Sequence, residues 1–148
     1  MSRSEAMSAT RERTFRARLD VLPETAAFVE TFCSDYDVAS VDALRLTLIV
    51  EELFTNTVVH GHRGDSEAAI HVSLSVEPDA VLLAYQDEAP PHDTLTHMRA
   101  PQADADDTLR SRRVGGIGLL LVTHIGEGAR YAYEGGRNCL WLRLLKLR

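Results

Sequence analysis

The spacing of apolar and polar positions predicts a strand and two helices in the first part of the chain. Residues 14–19 alternate between apolar and charged side chains, which is typical of a half-buried strand. A helically spaced apolar set follows Pro23, so a helix is expected from there to about Tyr36. Ser40 is a suitable N-cap for a second helix that runs to about residue 62, where a glycine-containing turn at 61–64 ends it.

The rest of the chain predicts a hairpin, a long loop, a helix and two last strands. Alternation over residues 69–76 and a short apolar run at 80–85 predict a β-hairpin whose second strand ends in Gln86-Asp87-Glu88. Residues 88–114 read as one long loop, and a loop of that length is usually a functional lid or disordered. The last elements are an apolar helix from Gly115 to about Gly126 and strands at 129–133 and 138–147.

Composition narrows the class of protein. The 148 residues are 45% hydrophobic and 26% charged, which suits one soluble globular domain over residues 12–148, after a disordered leader at 1–11. The net charge of -6 argues against general binding to nucleic acid. No apolar run approaches the ~20 residues of a membrane span and no signal peptide is visible, so the cytoplasm is expected. Cys33 and Cys139 form no CxxC pair, and free buried thiols are favoured over a disulfide.

One stripe of the second helix carries polar chemistry in an apolar setting. At i, i+4 spacing it runs Leu48, Glu52, Asn56 and His60, and side chains four apart lie on the same helix face. Taken alone, Glu52 and Asn56 are more often the polar rim of a core. With a magnesium nucleotide as partner, the Asn oxygen suits Mg²⁺, and the carboxylate one turn away suits a base that deprotonates a hydroxyl attacking the γ-phosphate.

Two further segments carry candidate chemistry. Asp87 ends a hydrophobic strand, where an acid is commonplace, but where it is also well placed to accept a hydrogen bond from the exocyclic amine of a base. The glycines at 115–118 open a helix, and such glycines let backbone N–H groups approach phosphates, although they also serve plain turns. Neither a Walker A loop nor a Rossmann fingerprint is present.

In this combination and order, the three segments resemble the GHKL superfamily of ATP-binding domains found in gyrase, heat-shock chaperones, histidine kinases and mismatch-repair proteins. EELFTNTVVHG is similar to its N box, DEAPP to its first glycine box and GGIGLLLV to its second. The finer resemblance is to the small bacterial anti-sigma-factor serine/threonine kinases (RsbW-like), with Gly135-Gly136-Arg137-Asn138 as the closing GGxN element. The resemblance spans residues 12 to 146. It implies an α+β fold, the two-layer α/β sandwich of the Bergerat type, with a mixed, mostly antiparallel sheet covered on one face by helices.

The resemblance also implies a role for each matching position. Glu52 would be the general base, Asn56 the Mg²⁺ ligand and Asp87 the residue that reads the adenine amino group. The phosphates of ATP would lie against the second glycine box. Its candidate cofactor-binding residues are Gly115, Gly116 and Gly118. His60 matches the motif, and a packing role is favoured over a chemical one.

Two features of the site stay open at this stage. The first glycine of the DxGxP box is Ala89 here, and a Cβ is costly if that position needs a positive φ but tolerable if it only needs close approach to the base. Arg112 and Arg113 either reach phosphate oxygens or form a solvated charge pair.

The expected function is therefore an anti-sigma-type protein serine/threonine kinase with ATP and Mg²⁺ as cofactors. The implied partners are a small STAS-type antagonist, which receives the γ-phosphate, and a sigma factor or similar target held until the unphosphorylated antagonist displaces it. Members of the group often dimerise, so a homodimer is an expected assembly, whereas direct nucleic-acid and membrane binding are not expected. An alternative, motivated by Ala89, is a non-catalytic sequestering module of the same fold. A histidine-kinase domain from a longer receptor is disfavoured, because no dimerisation helix with a phospho-acceptor His is visible.

Overall fold

A five-stranded sheet and two helices make up the two layers of the computed structural model, which describes residues 9–92 and 128–147. A short 3₁₀ turn, Leu19–Val21, precedes the first helix, and a π-type turn, Thr57–Gly61, continues the second. In chain order, the elements are β1 (Thr10–Arg16), α1 (Leu22–Asp35), α2 (Ser40–Asn56), β2 (Ala69–Val76), β3 (Ala80–Asp87), β4 (Ala129–Glu134) and β5 (Arg137–Leu145).

The sheet has the order β1-β2-β3-β5-β4, and every pairing between the described strands is antiparallel. The predicted parallel component of a mixed sheet is therefore not found among them. Pairing of β3 with β5 places Asp87 directly opposite Asn138, although the two residues are far apart in the chain. This register determines what surrounds the Asp87 carboxylate.

Both described helices lie on the same face of the sheet, as the resemblance to the two-layer sandwich implies. Side chains on that face are buried against α1 and α2, whereas the positions between them on β1 and β2 are mostly polar. Each fully buried Leu or Phe in such a core contributes roughly 1.5–3 kcal/mol. The buried set includes Phe15, Ile70, Val72, Leu74, Leu83, Leu140, Leu142 and Leu144 from the sheet and Phe28, Phe32, Leu46, Ile49, Leu53 and Phe54 from the helices.

The first strand begins earlier than the alternation indicates. It starts at Thr10, so residues 10 and 11 belong to the strand and not to the expected leader. The cause lies in two arginines at helix-facing positions, since Arg11 binds Asp35 at 2.7 Å and Arg13 binds Glu24 at 2.9 Å. Because arginine replaces an apolar side chain at both positions, the alternation pattern does not detect this part of the strand.

The start of α2 also differs from expectation. Its N-cap is Ala39, in an extended conformation, and Ser40 is the first helical residue, with no side-chain cap. The predicted N-cap role of Ser40 is therefore wrong. The other end of the predicted helix is confirmed, because the α-helix and the π-type turn together reach Gly61, but His60 on that turn is exposed, which contradicts its packing role.

The remaining predicted strands are confirmed with small shifts of their ends. Both cysteines are free and buried, as expected. In the described ranges no helix is long and apolar enough to cross a membrane. Residues 1–8 of the expected leader, most of the predicted long loop and the helix expected from Gly115 lie outside the described residues.

Candidate functional site

The C-terminal end of α2 meets the C-terminal end of β3 through a direct hydrogen bond. The hydroxyl of Thr57 donates to Oδ2 of Asp87 at 2.8 Å. Thr57 opens the π-type turn, and Asn56 is the last α-helical residue before it. π-type turns of this kind occur frequently at functional sites. The structure thus brings together two of the three segments that the sequence singles out.

The carboxylate of Asp87 is buried, and one of its two oxygens has all its acceptor positions filled. Only 7% of the residue is exposed. Oδ1 accepts hydrogen bonds from the backbone N–H of Ala89 at 3.1 Å and from Nδ2 of Asn138 at 2.8 Å. A carboxylate has about four acceptor positions. Together with the bond from Thr57, described residues occupy three of the four positions, which leaves one for a ligand.

Asn138 holds the chain that follows β3. Besides Asp87, its amide nitrogen donates to the carbonyl oxygens of Ala89 at 3.0 Å and Pro90 at 3.1 Å. Its Oδ1 accepts from the backbone N–H of His92 at 2.8 Å and from the hydroxyl of a neighbouring tyrosine, Tyr131. In the sequence, Asn138 is visible only as the last residue of the closing GGxN element, which implies no role for it. The motif is the signal that marks the residue, and the β3–β5 register gives it a function beside Asp87.

Ala89 occupies an ordinary backbone conformation. Among the described residues other than glycine, only Asp37 and Arg63 have positive φ. The methyl group of Ala89 is buried against the π-type turn, where a Cβ on Gly61 would come within 2.8 Å of it. Of the two alternatives left open by the sequence, the costly positive φ is therefore excluded.

Glu52 and Asn56 lie half-buried on α2, and their side chains have no hydrogen bond or ion pair with another described residue. Burial raises the pKa of the Glu52 carboxyl above its ordinary value. An asparagine oxygen that is not engaged within the protein fits Mg²⁺, which usually takes one or two protein ligands and fills its shell with phosphate and water. The described part of the chain holds no cluster of three or more His, Cys, Asp or Glu side chains able to bind a metal.

The remaining predicted site residues cannot be placed in this geometry. They lie outside the described residues, in the segment between His92 and Gly128. They are Arg113, Gly115, Gly116 and Gly118, together with Arg112.

Comparison with known proteins places the chain in a family. Residues 15–144 match the family model described as "Histidine kinase-like ATPase domain". The chain is 27% identical over 73 residues to proteins named "Anti-sigma F factor" from Bacillus thuringiensis (strain Al Hakam) and Bacillus cereus (strain AH187), covering 49% of this chain and 50% of each relative. It therefore spans about half the length of the curated relatives it matches.

A solved structure shares the fold. The crystal structure of the RsbU and RsbW domains of Rv1364c from Mycobacterium tuberculosis superposes with a TM-score of 0.61 and 16% sequence identity, over 94% of this chain and 33% of that one. At that identity the likeness concerns the fold alone. The family model, by contrast, covers most of the chain, including the end of α2, the end of β3 and Asn138. The chain therefore belongs to the histidine kinase-like ATPase domain family.

Proposed function

We propose that the chain binds ATP with Mg²⁺ and acts as an anti-sigma-type protein serine/threonine kinase. The γ-phosphate would pass to a serine or threonine of a small STAS-type antagonist protein. In its other state the chain would hold a sigma factor or similar target, and the unphosphorylated antagonist would displace that target. Such a regulator would work in the cytoplasm, and a homodimer is its proposed assembly.

The observation that carries the proposal is the hydrogen bond between Thr57 and Asp87. It fixes a buried carboxylate beside the helix end that bears Asn56 and Glu52. A carboxylate with one acceptor position left suits the exocyclic amine of adenine. Asn56, one residue before Thr57, would then be near enough in the chain to serve the phosphates of the same nucleotide. This arrangement agrees with membership of an ATPase-domain family.

Asn56 would hold Mg²⁺ through its side-chain oxygen. When bound, the ion would neutralise charge on the phosphate oxygens. The protein's own task is to position the nucleotide, with Asp87 accepting from the base at one end and Asn56 holding the metal at the other.

Glu52 would act as the general base. The hydroxyl oxygen of the acceptor serine or threonine attacks the γ-phosphorus, the bond between that phosphorus and the β–γ bridging oxygen breaks, ADP leaves, and the hydroxyl proton passes to Glu52. Because burial raises the pKa of Glu52, its carboxylate is a stronger base than an exposed glutamate. It also has no partner among the described residues that would compete for the proton.

The choice of partners rests on resemblance. The relatives from Bacillus thuringiensis and Bacillus cereus carry the name anti-sigma F factor, and the match covers about half of the length of each relative. That name supports an anti-sigma role with partner switching, and a base at Glu52 would supply the phosphate-transfer step of such a switch.

The test is phosphate transfer. Proteins captured with the full chain as bait are incubated with it and γ-labelled ATP–Mg²⁺, and labelled phosphoserine or phosphothreonine is measured. Glu52→Ala should cut transfer by ~10²–10⁴-fold with nucleotide affinity nearly intact, whereas Glu51→Ala, its neighbour on the same helix, should transfer normally. If the wild type captures a partner but transfers no phosphate to it, the kinase proposal fails and the non-catalytic sequestering module takes its place.

A further inference from the structure

A buried chain of hydroxyl groups leads from α2 to Asp87. The hydroxyl oxygens of Thr57 and Tyr85 lie 2.6 Å apart, and each lies 3.1 Å from the backbone carbonyl oxygen of Leu53. Tyr85 is 3% and Thr57 5% exposed, so water does not compete at these atoms. By sequence alone, both residues read as ordinary members of a helix and a buried strand.

The direction of these hydrogen bonds follows from counting hydrogens. A carboxylate only accepts, so the hydrogen between Thr57 and Asp87 belongs to Thr57. The Asp87 contact is shorter than the 3.1 Å contact of Thr57 with the Leu53 carbonyl and has a charged acceptor, so it takes the single hydrogen of Thr57. The 2.6 Å contact then takes the hydrogen of Tyr85, whose own distance to the Leu53 carbonyl is the longer 3.1 Å. Burial raises the pKa of the Tyr85 phenol well above its usual value, so the phenol keeps that hydrogen. The chain therefore runs from Tyr85 to Thr57 to Asp87.

The same count limits what Asp87 can offer to a ligand. Oδ1 has both acceptor positions filled, by Ala89 and Asn138, and Oδ2 has one filled by Thr57. Adenine presents one donor group on its Watson–Crick edge, the exocyclic amine. Guanine presents two adjacent donors, N1–H and N2–H, which need two free acceptor positions on the facing carboxylate.

We infer that Thr57 and Tyr85 are positioning residues that fix Asp87 as a single-acceptor carboxylate and thereby make the site select adenine over guanine. The inference rests on the proposed nucleotide-binding function and adds two residues to it. Without the Thr57 hydroxyl, Oδ2 regains a second acceptor position, and the carboxylate loses the bond that sets its rotation. Tyr85 reaches Asp87 only through Thr57, because its hydroxyl contacts Thr57 and the Leu53 carbonyl and makes no hydrogen bond to Asp87.

The experiment is calorimetric titration of ADP and of GDP, each with Mg²⁺, into the full chain, since diphosphates avoid turnover. Thr57→Val should weaken ADP about 10-fold while GDP stays within about 2-fold, so the ADP-to-GDP preference narrows. Thr57→Ser should restore the wild-type preference. The matched control is Thr47→Val, which removes a buried hydroxyl of α2. Among the described residues that hydroxyl bonds only to the Ala43 carbonyl, so its loss should change neither the ADP nor the GDP affinity.

Tyr85→Phe keeps the ring and tests the chain of hydroxyls separately, also in case Thr57→Val does not fold. It should narrow the ADP-to-GDP preference by about 2–3-fold when it is made in the wild type. It should have no effect when it is added to Thr57→Val, because the phenol acts through the Thr57 hydroxyl. An unchanged preference in Thr57→Val or in Tyr85→Phe, or additive effects in the double variant, overturns the inference and leaves the proposed function standing. A wild type that binds neither nucleotide overturns both.

Discussion

Replacing Asn138 by alanine should loosen the segment that follows β3 and, with it, the Asp87 carboxylate. The amide of Asn138 reaches the side chain of Asp87 and the backbone of Ala89, Pro90 and His92. All of these contacts disappear in Asn138→Ala, and no neighbouring side chain of β5 can replace them, since adjacent residues of a strand point to the opposite face.

The size of the effect can be worked from the amide's capacity. It has two hydrogens and an oxygen with two lone pairs, so four hydrogen bonds can be satisfied at once. At about 1 kcal/mol each, the loss is ~4 kcal/mol if nothing compensates, and about 3 kcal/mol if water replaces the bond to the carbonyl of Pro90, which is an exposed residue. For a chain of this size, a loss of about 3 kcal/mol corresponds to a fall in Tm of roughly 6–12 °C.

Asn138→Asp is the sharper companion variant. It keeps the shape and the acceptor oxygen Oδ1 but places a second carboxylate oxygen 2.8 Å from Oδ1 of Asp87, where the amide nitrogen now lies. Two carboxylates so close hold a shared proton, which raises the pKa of the pair in the folded state. The sign follows: the stability of this variant is present at low pH and is lost as pH rises, so its deficit relative to the wild type should shrink between pH 7 and pH 5.

Urea unfolding followed by circular dichroism at pH 7 and pH 5 measures both effects. The wild type and Asn138→Ala should differ by about the same free energy of unfolding at the two pH values, and Asn138→Asp should recover at pH 5. A loss below about 0.5 kcal/mol in Asn138→Ala, or a deficit in Asn138→Asp that does not depend on pH, would refute the reasoning.

Three further outcomes are expected. Asn56→Ala should abolish the Mg²⁺-dependent part of nucleotide affinity, because the metal loses its protein ligand; equal ATP affinities of variant and wild type in Mg²⁺ by calorimetry would remove Asn56 from that role. Because burial raises the pKa of Glu52 in the folded state, the wild type loses stability as pH rises through that pKa. In urea unfolding, Glu52→Gln should therefore be more stable than the wild type at pH 7 and should lose this advantage below the pKa range of an ordinary glutamate. An advantage that persists at low pH contradicts the raised pKa. Gly61→Ala should destabilise the fold by ~1–3 kcal/mol through the 2.8 Å contact with the Ala89 methyl, and adding Ala89→Gly should recover most of that loss; a Gly61→Ala variant as stable as the wild type contradicts the contact.

The residues of the site that follow from helix or strand periodicity could be predicted from the sequence. The stripe of Glu52 and Asn56 needs only the 3.6-residue repeat, and Asp87 needs only a strand that ends where its apolar run ends. Their meeting was expected from the resemblance to known ATP-binding domains. In the structure, the hydrogen bond from Thr57 to Asp87 joins the two segments.

Other parts depend on pairings between distant segments. Asn138 acquires its role only because β5 lies beside β3 in a register that sets it opposite Asp87, and no local pattern specifies that register. Tyr85 alternates as a core residue should, and its hydroxyl becomes meaningful only beside Thr57. At β1, Arg11 and Arg13 occupy helix-facing positions by pairing with acids of α1, so local alternation places the start of the strand four residues too late.

The central claim is that the end of α2 and the end of β3 form one adenine-nucleotide site. Calorimetric titration of ATP into the full chain, with and without Mg²⁺, tests it most directly, with Asp87→Asn as the comparison variant. We expect saturable one-site binding that strengthens with Mg²⁺ in the wild type and is lost in folded Asp87→Asn. Absence of binding in the wild type, or equal binding by Asp87→Asn, would contradict it.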